Sequence, residues 1–294
     1  MRTYRQALVI ALWSCCTLPA SAASIYEPFD YAPVGSPLAG KGTPPQNWAY
    51  VGTGANSADP IIAAGSLSYP GAVASSGNSV VTNRTQSGSD RIALPFGVSS
   101  GTIYYSMMVR VNDMTGLTNT TTGSFFAGLN NTAGAGTSIT SAGAGTFIHR
   151  DPVDTTGYNL GVGVSTANND RKFDTVAYHA GDTLFVVAAY EFLAGTDNDN
   201  AYLWINPPAA SLGAEIAPAP TVSSLGAADA TTVSDNVGAL VSFFLRNNSV
   251  EPAQIQVDEV RVDGSWAGAT APEPGMMSLF LLAVPLLGRR RKPD

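Results

Sequence analysis

The sequence predicts an all-β protein, an antiparallel two-sheet jelly-roll sandwich over residues 24–269. Charged residues make up only 13 % of the chain, whereas Gly occurs 30 times and Pro 19 times. That composition favours short strands joined by many turns. Several segments alternate between apolar and polar residues, and Gly, Pro or Asn separates each from the next.

The segment Thr102–Val111 alternates most clearly. Its odd-numbered residues from Ile103 to Val111 share one face of the predicted strand, and Tyr104, Ser106, Met108 and Arg110 share the other. The further predicted strands are Gly123–Asn130, Tyr158–Ser165, Asp182–Gly195, Ala201–Pro208, Ala239–Asn247 and Ala253–Gly264.

Two of these segments carry a more specific prediction. In Ala239–Asn247, the side chains of Val241, Phe243 and Leu245 are predicted to face the core. Asp182–Gly195 is long enough for a helix, but its β-branched and aromatic residues favour a strand. Two stretches rich in Gly, Ala, Ser and Thr, Thr132–Gly145 and Pro218–Asp235, are predicted to be exposed loops.

The N-terminus has the pattern of a secretory signal peptide, residues 1–23. Arg2 and Arg5 precede an apolar run, and small residues allow cleavage after Ala22 or Ala23. The only two cysteines, Cys15 and Cys16, lie inside it. The exported chain is therefore predicted to have no disulfide and no Cys-ligated metal. A lipoprotein acylated at one of these cysteines is the alternative, and the bulky neighbouring Trp13 disfavours it.

The C-terminal segment, residues 270–294, combines three parts. Pro272-Glu273-Pro274 is followed by the apolar run Met276–Gly288 and then by a basic cluster, which comprises Arg289, Arg290, Arg291 and Lys292. The apolar run is shorter than the ~20 residues that a stable membrane-spanning helix needs. Basic residues after an apolar run stay in the cytoplasm, so the pattern predicts transient insertion into the inner membrane.

This order of parts, over Pro272–Lys292, resembles the PEP-CTERM sorting signal of Gram-negative bacteria. The resemblance implies that an exosortase recognises Pro272, Glu273 and Pro274 and removes the tail. It also implies a secreted or cell-surface protein that is associated with exopolysaccharide and the biofilm matrix. A plain C-terminal membrane anchor is the alternative.

A second resemblance covers about Phe185–Trp266. The segments "VVAAYEF", "AYLWINPP" and "DEVRVDGSW" resemble those of the concanavalin-like, LamG-type jelly roll. Glycan binders, matrix modules and glycosidases all occur on that fold, so the resemblance implies a fold without choosing a function.

Residues 23–272 hold 9 basic and 20 acidic residues, a net charge of −11. So acidic a body disfavours nucleic acid and anionic lipid as partners. It suits cations or neutral glycans, or it serves only to keep a matrix protein soluble.

Motifs for nucleophilic catalysis are weak. Gly97–Gly101 matches G-x-S-x-G with Ser99 at the centre, but that motif needs a helix after it and a strand is predicted there. A triad would also need His149 or His179, the only two histidines, and each is predicted to be a surface or turn residue.

Glycoside hydrolysis needs two carboxyl groups about 5–10 Å apart. Glu191, Asp258 and Glu259 lie on predicted strands, but their spacing does not match the E-x-D-x-x-E pattern of concanavalin-like glycosidases. Glu259 and Arg261 are predicted to form a surface ion pair. No catalytic residue is therefore assigned.

Two groups of residues are candidate binding sites. Asp197 and Asp199 in "TDNDN" are candidate Ca²⁺ ligands, with an ordinary hairpin turn as the alternative; no other cofactor is predicted. Tyr190, Tyr202 and Trp204 are candidate glycan contacts, because aromatic rings stack on sugars, with a place in the core as the alternative.

Together these patterns predict an exported, non-enzymatic surface or matrix protein with a structural or adhesive role, for which an exopolysaccharide is a candidate partner and nucleic acid is not. The alternative is a secreted glycosidase or lyase on the same fold.

Overall fold

The computed structural model describes residues 25–53, 60–72, 75–82, 88–118, 122–139, 141–167, 170–226, 238–247 and 254–271. The predicted signal peptide, and the predicted sorting signal from Pro272 onward, lie outside these residues. Within them, two antiparallel sheets face each other across a hydrophobic core. The predicted all-β, two-sheet antiparallel sandwich is confirmed.

The first sheet has the strand order β15-β14-β13-β7-β17-β5-β4, and β1 also pairs with β17. Its strands are β1 (Ile25–Glu27), β4 (Ile61–Ala63), β5 (Ser79–Val81), β7 (Gly101–Asp113), β13 (Thr183–Phe192), β14 (Asn200–Ile205), β15 (Val222–Leu225) and β17 (Gln254–Asp263).

The second sheet has the strand order β11-β10-β9-β8-β16-β6-β3-β2, and β12 also pairs with β10. Its strands are β2 (Gly42–Thr43), β3 (Gln46–Val51), β6 (Gly88–Val98), β8 (Ser124–Asn130), β9 (Ala142–Arg150), β10 (Gly157–Gly163), β11 (Lys172–Phe173), β12 (Tyr178–His179) and β16 (Leu240–Asn247).

The last two long strands return to the middle of the sandwich. Strand β16 lies between β8 and β6 in the second sheet, and β17 lies between β7 and β5 in the first. Each therefore pairs on both sides with strands more than 100 residues earlier in the chain. This wrapping is what closes the jelly roll.

The alternation predicted for β7 is the one observed. Its odd-numbered residues from Ile103 to Val111 are buried between the sheets. Among them, Tyr105 reaches across the core, where its hydroxyl bonds to the carbonyl oxygen of Ala144 and to Oγ1 of Thr146, at 2.6 Å each. Burial raises the pKa of this tyrosine, so it is a neutral cross-sheet link.

One inward-facing residue of β16 was predicted wrongly. Phe243 and Leu245 are fully buried in the core, but Val241 is only half-buried and Leu240 occupies the core instead. The register of β16 against β6 shifts between Leu240 and Ser242. Between these two positions β16 advances from Leu240 to Ser242 while β6 runs from Val98 to Ala93, and such an irregularity breaks the alternation on one side of it.

The two predicted loops contain strands. The end of Thr132–Gly145 is the start of β9, which pairs with β8 and β10 and is almost entirely buried. Pro218–Asp235 contains β15, which pairs with β14. By contrast, the segment Asp182–Gly195 forms strand β13, as predicted, and the helical alternative is excluded.

A second hydrophobic cluster covers the outer face of the first sheet. It comprises Leu67, Met108, Phe185, Val187, Ala189, Trp204 and Trp266. Trp266 begins the short helix α1 (Trp266–Thr270), whose N-cap is Ser265; the Ser265 hydroxyl accepts a bond from Gly268 N at 3.0 Å. Beyond α1, Arg261 Nη1 donates to the carbonyl oxygen of Ala271 at 2.6 Å.

Among the described residues, no helix has both the length and the apolar character that crossing a bilayer requires. The apolar run Met276–Gly288, which was predicted to insert transiently, lies outside them.

Candidate functional site

Two of the three aromatic residues predicted to contact glycan are buried. Tyr190 has no exposed surface, and its hydroxyl donates to Oδ2 of Asp199 at 2.7 Å. Trp204 is 4 % exposed, and its Nε1 donates to the carbonyl oxygen of Pro218 at 2.8 Å. Neither ring has an open face for a sugar, so the prediction is corrected for both: Tyr190 lies in the core between the sheets, and Trp204 lies in the buried cluster on the outer face of the first sheet.

Tyr202, the third, lies on the outer face of the first sheet in a half-exposed group that we call the tyrosine patch. The patch consists of Tyr104, Glu191, Asn200 and Tyr202, all half-buried. Strand pairing builds it, because Glu191 lies opposite Asn200, and Tyr202 and Tyr104 flank Ala189. The rings of Tyr202 and Tyr104 each lie about 6 Å from that of Trp204, which supports both from below.

Hydrogen bonds hold the polar side chains of the tyrosine patch. Glu191 Oε2 accepts from the Tyr202 hydroxyl at 2.7 Å and from Asn200 Nδ2 at 3.0 Å. Burial, and then the bond to Glu191, raises the pKa of Tyr202 to about 12. Burial and the charge of Glu191 raise the pKa of Tyr104. Both phenols are therefore neutral donors at physiological pH.

The candidate calcium ligands belong to the turn between β13 and β14. Asp199 is 5 % exposed, and its two oxygens accept from the Tyr190 hydroxyl and from Leu193 N, each at 2.7 Å. Asp197 is exposed and has a φ of 58°. Asp is one of the few residues that tolerate this left-handed conformation. Their environment matches the hairpin alternative, and no three acidic, His or Cys side chains of the described residues lie close enough to hold a metal.

The candidate nucleophile and histidines do not come together. Ser99 is exposed in the turn between β6 and β7, and a strand follows it. His179 is exposed, with Nε2 3.0 Å from Oδ2 of Asp154, which agrees with its predicted surface position. His149 is buried on β9, with its ring centroid 4.0 Å from that of Phe173, so its predicted surface position is wrong.

The carboxyl groups of β17 are buried and not on the surface. Asp258 is fully buried, and its oxygens accept from Leu67 N and Glu259 N. Glu259 is 2 % exposed, with a φ of 52° at a register shift in β17. The bulge turns Glu259 away from Arg261, which instead stacks on Tyr26 at 4.6 Å, so the predicted surface ion pair is absent.

A cavity of about 530 Å³ lies where β1 meets the second sheet. Tyr26, Glu27, Asp30, Tyr31 and Gln46 are among its lining residues. Both oxygens of Glu27 are already bonded, to Phe29 N, the Tyr31 hydroxyl and Trp48 Nε1. The carboxyl at the base of this cavity therefore has a structural role.

A second cavity, which we call the arginine cavity, opens on the outer face of the second sheet. It has a volume of about 370 Å³, and Ser89, Phe125, Thr137, Ser138, Thr166 and Arg246 are among its lining residues. The guanidinium of Arg246 lies 4.2 Å from the ring centroid of Phe125. Sequence reasoning did not find this site, because Phe125 and Arg246 are 121 residues apart and neither belongs to a motif.

The comparisons with known proteins identify no family. No family model matches the chain, and no curated protein matches it significantly. Solved structures do match. A glycosyl hydrolase family protein from Mycobacterium fortuitum is 13 % identical, with 82 % of this chain and 99 % of that chain covered and a TM-score of 0.40.

Two other matches are similarly distant. Lectin II from Ulex europaeus is 12 % identical, covering 83 % of this chain and 99 % of that chain, with a TM-score of 0.38. Alginate lyase vAL-1 from Chlorella virus is 10 % identical, with 74 % of this chain and 92 % of that chain covered and a TM-score of 0.39. Likenesses this low carry no argument about function, which has to come from the chain's own residues.

Proposed function

We propose that this protein is an exported, non-enzymatic component of the cell surface or extracellular matrix that binds a neutral glycan at its tyrosine patch. The predicted signal peptide, and the resemblance of the C-terminal segment to an exosortase sorting signal, support the export and the matrix setting. An exosortase is then its processing partner, and an exopolysaccharide is its ligand. The bonded network of Glu191, Tyr202 and Asn200 between two half-exposed tyrosine rings carries the proposal.

The chemistry of the patch suits a sugar. The ring faces of Tyr104 and Tyr202 provide flat apolar surface for the C–H face of a pyranose. The Asn200 and Tyr202 bonds both go to Oε2 of Glu191, so within the described residues Oε1 is left to accept from a sugar hydroxyl. Because the network is bonded before any ligand arrives, little side-chain entropy remains to be lost on binding.

A binding test separates this function from its alternatives. The purified body is titrated with the host's own exopolysaccharide and with neutral oligosaccharides, and binding is measured by calorimetry. Tyr202→Ala and Glu191→Gln are expected to weaken binding about tenfold or more, as loss of a stacked ring or of a charged hydrogen bond does. Phe96→Ala removes a 37 % exposed ring on β6 of the other sheet and should leave binding unchanged.

Two results would count against the proposal. Unchanged affinity in both patch variants would place binding elsewhere. New reducing ends, or unsaturated ends that absorb in the ultraviolet, would instead favour a glycosidase or lyase. Trp204→Ala is unsuitable for this test, because removal of a buried Trp costs about 3–5 kcal/mol of stability.

A further inference from the structure

The arginine cavity and the tyrosine patch lie on opposite outer faces of the sandwich. The cavity's volume of about 370 Å³ falls within the ~300–1,000 Å³ range of small-ligand sites. The exposed residues Thr137 and Ser138 and the half-buried residues Phe125 and Arg246 all line it. An acidic sugar can be bound by such groups, because hydroxyls bond to its hydroxyls, an aromatic ring packs on its C–H groups and a cation pairs with its carboxylate.

The Arg246 guanidinium is weakly bonded compared with its neighbours. Its Nη1 donates to Ser124 Oγ at 3.3 Å and to Phe125 O at 3.2 Å, both neutral acceptors at long distance. Arg91, on the same face, makes five bonds to loop residues 130–135 at 2.5–3.3 Å. Arg91 is therefore occupied in holding a loop, whereas most of the donor capacity of Arg246 is not used by the described residues.

Two arginines lie close together on this face; burial lowers the pKa of Arg171, and the charge of Asp170 opposes that effect. Arg171 lies 4.5 Å from the Phe147 ring, and the Phe147 and Phe125 ring centroids are 5.7 Å apart, so two arginines bracket a pair of phenylalanines. Burial and the charge of Arg171 both lower the pKa of Arg246.

A carboxylate is the anion that best fits these groups. The planar guanidinium fork offers two parallel N–H donors that match the two oxygens of a carboxylate. A sugar ring carrying that carboxylate would contact Phe125 and the hydroxyls of the cavity. We propose that Arg246 binds the carboxylate of a uronic acid residue of an acidic polysaccharide in the arginine cavity.

The net charge of the body limits how such a ligand is held. At −11, the body repels a polyanion at long range, so the cavity does not work by general attraction. Binding depends on local contact with Arg246. Added salt should weaken both the repulsion between the acidic body and the polyanion and the attraction between Arg246 and the carboxylate. The salt dependence is therefore expected to be shallow.

The test uses the purified body with oligogalacturonide and with its carboxyl-reduced counterpart, which has the same rings without the charge. We expect calorimetry to detect the acid form and to find the reduced form at least tenfold weaker. Arg246→Gln should weaken binding of the acid form about tenfold or more, and Arg246→Lys should fall between. Arg110→Gln, an equal charge change on β7 of the first sheet, should have no effect.

A second variant tests the site without changing Arg246, in case the Arg246 variants misfold. Ser138→Glu adds a negative charge at an exposed position of the cavity and should weaken binding of the acid form without affecting thermal stability. Equal binding of the acid and reduced forms, unchanged affinity in Arg246→Gln or Ser138→Glu, or no binding of the acid form would each overturn the proposal.

This result does not depend on the tyrosine patch. Tyr202→Ala should leave binding of the acid form unchanged, and Arg246→Gln should leave binding of neutral glycan unchanged. Dextran sulfate provides the last comparison: binding to it that is as strong as to oligogalacturonide and insensitive to Arg246→Gln would show general charge attraction, which contradicts the proposal.

Discussion

Glu27 Oε2 accepts a hydrogen bond from Trp48 Nε1 at 2.9 Å and joins the two sheets at one edge of the sandwich. Glu27 ends β1 in the first sheet, and Trp48 lies in β3 of the second. The carboxyl is 4 % exposed, and the indole is fully buried. Burial raises the pKa of Glu27, although its three hydrogen bonds act against that rise.

Removal of this carboxyl should destabilise the sandwich. Glu27→Ala leaves Trp48 Nε1, the Tyr31 hydroxyl and Phe29 N without their acceptor, and each buried donor left unpaired costs about 1–3 kcal/mol. We expect a lower midpoint in urea unfolding followed by fluorescence. Trp48→Phe removes one donor and keeps the acceptor's other two partners, so its loss of stability should be smaller. A larger loss for Trp48→Phe would show that ring packing, and not the bond, dominates.

Asp258 should make the protein less stable as pH rises. Burial raises the pKa of Asp258 to about 8, with a further contribution from Glu259 and Glu27. An unfolded Asp titrates near 3.9, so between pH 4 and 8 the folded state keeps a proton that the unfolded state has released. The stabilisation is complete below this window, decreases through it and is lost above pH 8. Thermal melting at half-unit steps from pH 4.5 to 8.5 measures it.

Two variants test whether Asp258 causes this loss of stability with rising pH. Asp258→Asn removes the titration, so its melting temperature should change less with pH than that of the unchanged protein. Glu259→Gln removes a neighbouring negative charge, lowers the pKa of Asp258 and should shift the decrease to lower pH. The same pH profile in all three proteins would mean that another group is responsible.

Glycine is needed at position 161 because neighbouring atoms leave no room for a Cβ, and not because of its backbone angle. A Cβ at this position would lie 2.5 Å from the carbonyl oxygen of Lys172 and 2.6 Å from the Phe173 ring. Gly161→Ala should therefore cost about 1–3 kcal/mol, as overpacking does. Gly264→Ala is the matched control, because nothing lies within 4 Å of its Cβ position. Equal melting temperatures for the two variants would contradict this account.

The mature protein is expected to lack Met276–Asp294 and to begin at Ala23 or Ser24. Cleavage at both terminal signals removes these segments, and intact-mass measurement of the secreted product detects the change. An extracellular product that keeps Arg289–Lys292 would contradict sorting by an exosortase. Replacement of Pro272-Glu273-Pro274 by three alanines should leave the uncleaved chain in the membrane fraction.

Strands with clear alternation could be predicted from the sequence, and those built on small residues could not. Strand β7 alternates over its whole length, and its inward face was predicted residue by residue. Strand β9 begins "AGAGT", which has the composition of a linker. Its glycines are buried because rings fill the space above them: Tyr190 of β13 approaches Gly143, and Phe147, two residues further along β9, approaches Gly145.

The sites depended even more on distant residues. Tyr190 and Tyr202 lie in similar apolar segments of the sequence, but Tyr190 faces the core and Tyr202 faces the surface. The pairing of β13 with β14 places them on opposite faces of the sheet. In the sequence Arg246 looks like an ordinary polar residue near the end of a strand. Only the pairing of β16 with β8 places Phe125 against its guanidinium. Val241 was misplaced because the register of β16 against β6 shifts between Leu240 and Ser242, and the alternation within β16 does not reveal a shift that depends on its partner strand.

The bond from Arg261 to Ala271 fastens the last described residue to a central strand. Pro272, the first residue of the proposed recognition tripeptide, follows at once. Among the described residues, every buried side chain, the N-cap of α1 and both binding faces lie before Pro272, so a cut at the tripeptide would leave all of them in the released body. Under the proposed sorting, the released body would keep the bond that ties its last described residue to β17.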